Sequence, residues 1–290
     1  MSDESVYEAI AGADDDSRWA YGTGFADPMS TVDTALPAGV DPADLAAYCL
    51  MLGDDALIAS HRLQEWCARA PELEDEVALA NIGLDLLGQA RLLLGRAATV
   101  LGGDEDTLAF GREEREFRNV RLVEAPNGDF AQTIARLLVF SAWRLALLVR
   151  LRDSADPVLA AVAAKGVAEV TYHRDYAARW LVRLGDGTPY SHERAQAGLA
   201  VVWPLVAELF AAHPVERRLV GVAVDPGELR AEFDQVVGEV LAAATLDRPE
   251  APALAGVSGR FGRDGVHTES LGYVLAEMQS VARAHPGATW

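Results

Sequence analysis

The chain has 290 residues, half of them apolar, which is enough for one sizeable core or two modest ones. Its formal charge of -19 excludes a nucleic-acid backbone as ligand, because that ligand requires a dense basic surface. There is neither an uninterrupted apolar run of about eighteen residues nor a basic-then-apolar leader, so a cytoplasmic protein with no membrane insertion is expected.

Residues 1–43 read as an acidic, flexible extension in which acids far outnumber the single Arg18 and no periodicity is sustained. Trp19, Tyr21 and Phe25 are its candidate anchors. The remainder, 44–290, reads as a single helical domain. A first long helix is expected from Asp41 or Asp44, either a reasonable N-cap, to about Arg69, where Pro71 stops it. A second spans 72–102, opening on Pro71 and a run of acids that suits a helix N-terminus and closing at Gly102 and Gly103. It carries two apolar stripes: Leu73, Val77, Ala80, Leu84 and Leu87, and then Leu79, Ile82, Leu86, Ala90 and Leu93. Such a helix has to be covered on two sides. Between the stripes runs a polar track, Asn81, Asp85 and Gln89.

A polar connector with one or two short helices follows. A third long helix is expected from Asp129 to Leu151. A fourth begins at the N-cap and Pro pair Asp156-Pro157 and runs to Leu184. Further helices are expected near 191–212, 226–245 and 267–284, and Leu219 to Val224 is the one weak strand candidate. The fold class is therefore all-α: two helix pairs joined by one long connection, the pattern of a ferritin-like four-helix bundle with additional C-terminal helices. Cys49 and Cys67 have no CxxC spacing and read as two inert core thiols. The last residue, Trp290, suits core packing or a subunit interface.

Ferritin-like bundles bind two irons with a Glu from each of two helices and a Glu-x-x-His pair from each of the other two. The place for one such pair holds Leu86 and Gln89. The other holds Val170 and His173, with Glu169 displaced by one position. Leu and Val cannot bind iron, so Asp85, Leu86, Gln89, Glu169, Val170 and His173 read as vestigial di-iron positions, with no metal expected and His173 a satisfied core histidine. In the connector, Arg112, Arg115, Arg118 and Arg121 recur every three residues. If helical, they form one basic side suited to coenzyme A phosphates or a partner's carboxylates, with Glu116, Phe117, Arg118 and Asn119 as the expected substrate or partner contact. The bland alternative is a solvated face of internal Arg–Glu pairs.

Several blocks carry a family resemblance: EWCARAPELEDEVALANIGLDLLGQAR at 65–91, GDEDTLAF at 103–110, VEAPNGDFAQTIAR at 123–136 and HTESLGYVLAEMQ at 267–279. They resemble the PaaC subunits of ring-1,2-phenylacetyl-CoA epoxidases, over about residues 45 to 290. The resemblance implies a ferritin-like subunit without iron ligands. It implies pairing with a homologous PaaA-type catalytic subunit that holds the di-iron centre. It also implies a reductase subunit with FAD and an iron–sulfur cluster that draws electrons from NADPH. No cofactor is expected in this chain itself. An active di-iron oxygenase with atypical ligands, and a module that presents phenylacetyl-CoA or another coenzyme A thioester, are the rival readings.

Overall fold

The computed structural model describes residues 31–286 and residue 288. Most of the acidic extension, with Trp19, Tyr21 and Phe25, and the terminal Trp290 lie outside these. Four long helices dominate: α1 (Pro42–Gln64), α2 (Leu73–Leu101), α5 (Phe130–Leu151) and α6 (Pro157–Gly185). Between α2 and α5 lie the short α3 (Glu105–Phe110) and α4 (Arg121–Glu124). After α6 come α7 (Pro189–Val202), α8 (Pro214–Arg218), α9 (Arg230–Ala243), α10 (Glu269–Met278) and α11 (Ser280–Ala284). Local chemistry sets the starts. Asp41, Asp129 and Asp156 each accept backbone N–H bonds of the first turn they cap, and Pro42 and Pro157 occupy the first helical position, where no N–H is needed. Gly102 and Gly103 end α2 with φ of +83° and +81°, a backbone region that other residues enter only under strain.

Side-chain contacts fix the direction of each long helix. Gly53 lies against Leu93 and Leu94, and Ser60 Oγ donates to the Gly83 carbonyl at 2.7 Å, so α1 and α2 run antiparallel. Trp66, just past α1, donates to Thr133 Oγ1, and Arg144 donates to the Leu52 carbonyl, which sets α5 antiparallel to α1. Phe130 stacks edge-on against Trp180 with centroids 5.0 Å apart, and Leu148 meets Gly166, so α6 runs antiparallel to α5. A Cβ at Gly166 would come within 2.9 Å of the Leu148 Cδ1 methyl, so a larger residue there would have to push that side chain aside. The result is an up-down-down-up bundle with the parallel pair α2 and α5 joined by the long connector, the ferritin-like order. Helices α7 and α9 cover α5 and α6, while α10 packs on α1 and the connector.

Some expectations shift in detail. Helix α1 stops at Gln64 and the chain turns through 65–69, with Ala68 at φ 63°. The segment expected to be helical over 191–212 leaves the α-form at Trp203, because Pro204 lacks the N–H that would continue the ladder, and proceeds as two 3-10 turns. Leu219 to Val224 is a turn following α8 and not a strand; among the described residues the one β-contact is the isolated bridge Val257–Arg260. Cys49 is a core thiol as expected, but Cys67 is exposed, because the turn after α1 carries it away from the core.

Candidate functional site

Helices α2 and α6 face each other antiparallel along their whole length and are joined by polar rungs. At one end the Asp75 carboxylate accepts from Tyr176 Oη and Trp180 Nε1, both at 2.9 Å. Next, His173 Nε2 lies 3.0 Å from Asp85 Oδ2, the imidazole being buried and the carboxylate partly open to solvent. One turn further, Gln89 Nε2 donates to Glu169 Oε2 at 2.8 Å, and Glu169 also meets Lys165 at 3.5 Å. At the far end Arg96 donates to Asp156 at 2.5 Å, a fully buried pair that ties the cap of α6 to α2. Arg96 also donates to the carbonyls of Thr34 and Ala35, fastening the chain just ahead of α1.

The middle rungs carry the two stretches in which the sequence spacing looks for Glu-x-x-His pairs. Leu86 and Val170, where such pairs would need glutamates, are fully buried aliphatic side chains. Gln89, in place of a histidine, is engaged on both sides, because its Oε1 accepts from Arg144 Nε at 2.9 Å. Arg144 projects from α5 across the bundle diagonal into the same space. Burial pushes its guanidinium down to about 10, and the charges of Asp55 and Glu169 oppose that shift. A fixed guanidinium here repels the cations that such a site is built to hold. Among the described residues, no group of three or more His, Cys, Asp and Glu side chains is gathered to hold a metal ion. The residues present do not fit a di-iron centre: two oxygen donors are replaced by hydrocarbon and one nitrogen donor by an amide. Beside Leu86 lies a cavity of about 20 Å³, lined also by Ala59, Leu63, Val123, Arg136, Leu137 and Phe140, with room for about one water and none for an aromatic substrate.

On its outer side α2 departs from what its sequence demands. The stripe Leu79, Ile82, Leu86, Ala90 and Leu93 is buried as expected. Among the described residues the other stripe is left uncovered: Leu73, Val77, Leu84 and Leu87 are 72%, 52%, 57% and 41% exposed. Their spacing, with Ala80, is four-three-four-three, the seam of a helix that packs on another helix at a shallow angle. Tyr172, half exposed on α6, stands beside His173 on the same pair of helices. Helix α2 is also the one helix among the described residues long and apolar enough to cross a membrane, with mean hydropathy 1.4. The buried polar groups Asp75, Gln89 and Arg96 instead fasten it inside a bundle.

Residues 29–290 match the family described as Phenylacetic acid catabolic protein, PaaA_PaaC. The chain belongs to that family. It is also 51% identical over 249 residues to the C-type subunit of the 1,2-phenylacetyl-CoA epoxidase of Escherichia coli strain K12, a match covering 85% of this chain and 99% of that relative.

In this member of the phenylacetic acid catabolic family, the connector departs furthest from the sequence expectation. Its arginines do not form one basic helix side, since residues 112–120 hold no α-helix but a single 3-10 turn at Glu114–Glu116, and Arg121 opens the separate short α4. Arg112 turns inward and grips Asp54 through both terminal nitrogens, at 3.0 and 2.5 Å, with its guanidinium 4.2 Å over the Phe117 ring. Arg121 is buried against Glu208 at 2.7 Å. Arg115 remains exposed, and Arg118 is half-buried with its guanidinium on the carbonyls of Arg115 and Phe117. Phe117 and Asn119 are fully buried within this chain, so neither has a face free to meet a ligand; of the segment 116–119, Glu116 is exposed and Arg118 partly so.

Sequence reasoning passed over the partners of these arginines. Asp54 and Asp55 sit side by side in α1, both fully buried. Asp54 binds Arg112, and Asp55 binds Arg263 at 2.7 and 3.0 Å while accepting the Val120 N–H. Arg263 also donates to the carbonyls of Met51 and Arg118. Two adjacent acids in an otherwise apolar helix were the available signal, because acids in such a place need dedicated cations.

Proposed function

We propose that this chain is a catalytically silent subunit of a phenylacetyl-CoA epoxidase acting in the cytoplasm, and that it docks on and stabilises the homologous di-iron subunit through the α2/α6 face. The observation that carries the reading is the exposed seam on α2. Four large aliphatic side chains at coiled-coil spacing on an outer helix of a strongly acidic protein have no use in water, but they match a helix of a second bundle. The interior supports the silent half of the reading. A guanidinium, an amide and two aliphatic side chains stand where oxygen chemistry would need carboxylates and imidazoles. Freed from holding metal, the rungs Asp85–His173 and Gln89–Glu169 act as rigid cross-ties between α2 and α6, holding the docking face in shape.

The division of labour is that the partner activates oxygen, a reductase subunit with FAD and an iron–sulfur cluster delivers electrons from NADPH, and this chain contributes no group to the reacting atoms. Co-expression with the di-iron subunit tests it. The expected result is a complex that turns over phenylacetyl-CoA, whereas the di-iron subunit and reductase without this chain do not. Full turnover without this chain, or iron bound in proportion to this chain when expressed alone, overturns the proposal.

A further inference from the structure

The C-terminal helices are joined to the connector through a buried pair outside the rungs and the seam. His267, just ahead of α10, and Glu124, at the end of α4, have side chains 1% and 0% exposed. The His267 Nε2 lies 3.1 Å from the Phe117 carbonyl, and since a carbonyl only accepts, that nitrogen carries a proton. Its other ring nitrogen, Nδ1, faces Glu124 Oε1 at 3.6 Å, and neither atom has any other partner. A bare carboxylate oxygen set against a bare nitrogen lone pair, both out of water, is a costly arrangement; one proton held by the pair, on either group, removes the facing lone pairs. We infer that Glu124 and His267 share a single buried proton, which makes the docking of the C-terminal helices sensitive to alkaline pH.

The surroundings leave this proton as the pair's own means of neutralisation. Arg62 of α1 donates to the Glu124 backbone carbonyl at 3.2 and 2.7 Å, not to its carboxylate, and is itself paired with Glu65. Arg118 shares the Phe117 carbonyl with His267. Glu208 adds a like charge, although Arg121 engages it. Among the described residues the Glu124 carboxylate accepts one hydrogen bond, from the Thr268 N–H to Oε2 at 3.3 Å. Burial accordingly pushes the Glu124 carboxyl up, and the His267 contact draws it back in part. An ordinary glutamate in the unfolded chain releases its proton near about pH 4.3. The unfolded pair still carries one proton on its imidazole up to about pH 6.5, so it is above that pH that the folded pair, keeping its single proton, binds more protons than the unfolded state and stability falls as pH rises.

The test compares chemical denaturation of the full chain and of Glu124→Gln between pH 6 and pH 10. Gln keeps the size and can bond the ring without titrating. The unfolding constant of the wild type is expected to rise relative to that of the variant by up to about tenfold per pH unit across the window where the pair releases its proton. Parallel profiles overturn the inference. A second measurement needs no variant: nitrogen NMR of the His267 ring in the intact chain. One proton given up in a single step together with Glu124 is the expected result; a ring that titrates like a free imidazole, with Glu124 already ionised, contradicts it.

Discussion

The adjacent helices α1 and α2 treat polarity in opposite ways. Helix α1 buries two neighbouring aspartates, Asp54 and Asp55, deep in the protein, while α2 leaves Leu73, Val77, Leu84 and Leu87 in water. Neither choice suits an isolated bundle. The aspartates of α1 are compensated within the chain, each by a two-pronged arginine from the connector or from the C-terminal segment. Among the described residues nothing compensates the leucines of α2 in this way. One side of the bundle is thus sealed by its own sequence, and the other is the face proposed to meet a second protein.

The largest expected effect comes from breaking the sealed side. Removing Arg112 by Arg112→Ala strands the buried Asp54 and is expected to destabilise the chain by about 3–5 kcal/mol, read by urea denaturation. A loss below about 1 kcal/mol would mean that water reaches Asp54 and that α1 is not sealed.

On the open side the effect moves from stability to association. Leu84→Asp with Leu87→Asp is expected to weaken the complex with the di-iron subunit by about 100-fold in a titration. The folded free chain should change by no more than about 1 kcal/mol, because both side chains are already exposed. Equal damage to both quantities would place these leucines in the core and dissolve the contrast between the two helices.

A smaller effect is expected at the surface pair Arg218–Asp44, which ties α8 to the first turn of α1 at 2.6 Å. The Arg218 side chain is more than half exposed, so Arg218→Ala should cost far less than Arg112→Ala, and that cost should fade further in salt. A cost as large as that of Arg112→Ala would show that position along α1, and not burial, decides what an ion pair is worth.

How much of this was legible in the sequence follows the same divide. The long helices, their aspartate caps and the paired arrangement could be read because apolar periodicity and local capping chemistry sit within a few residues of one another. The mismatch of Leu86, Gln89 and Val170 with a Glu-x-x-His pattern could be read because that spacing is itself local. The seam was half legible: two apolar stripes on α2 say that two covers are needed, but not that one belongs to another chain. The short helices of the connector could be expected, but where its arginines point could not. Three-residue spacing of arginines describes a helix face only if the segment is helical, and what pulls Arg112 and Arg121 inward are carboxylates 58 and 87 residues away in sequence. Arg144 escaped notice because nothing in its own apolar helix indicates that it reaches across the bundle to Gln89.

The most direct measurement is side-chain footprinting of the free chain and of its complex with the di-iron subunit, following Leu84, Leu87 and Tyr172 against Tyr190 and Val220, which are exposed elsewhere on the molecule. Docking through the α2/α6 face predicts that the first three lose reactivity on assembly while Tyr190 and Val220 keep theirs. An assembled, active complex in which Leu84 and Leu87 react as fast as in the free chain would contradict it.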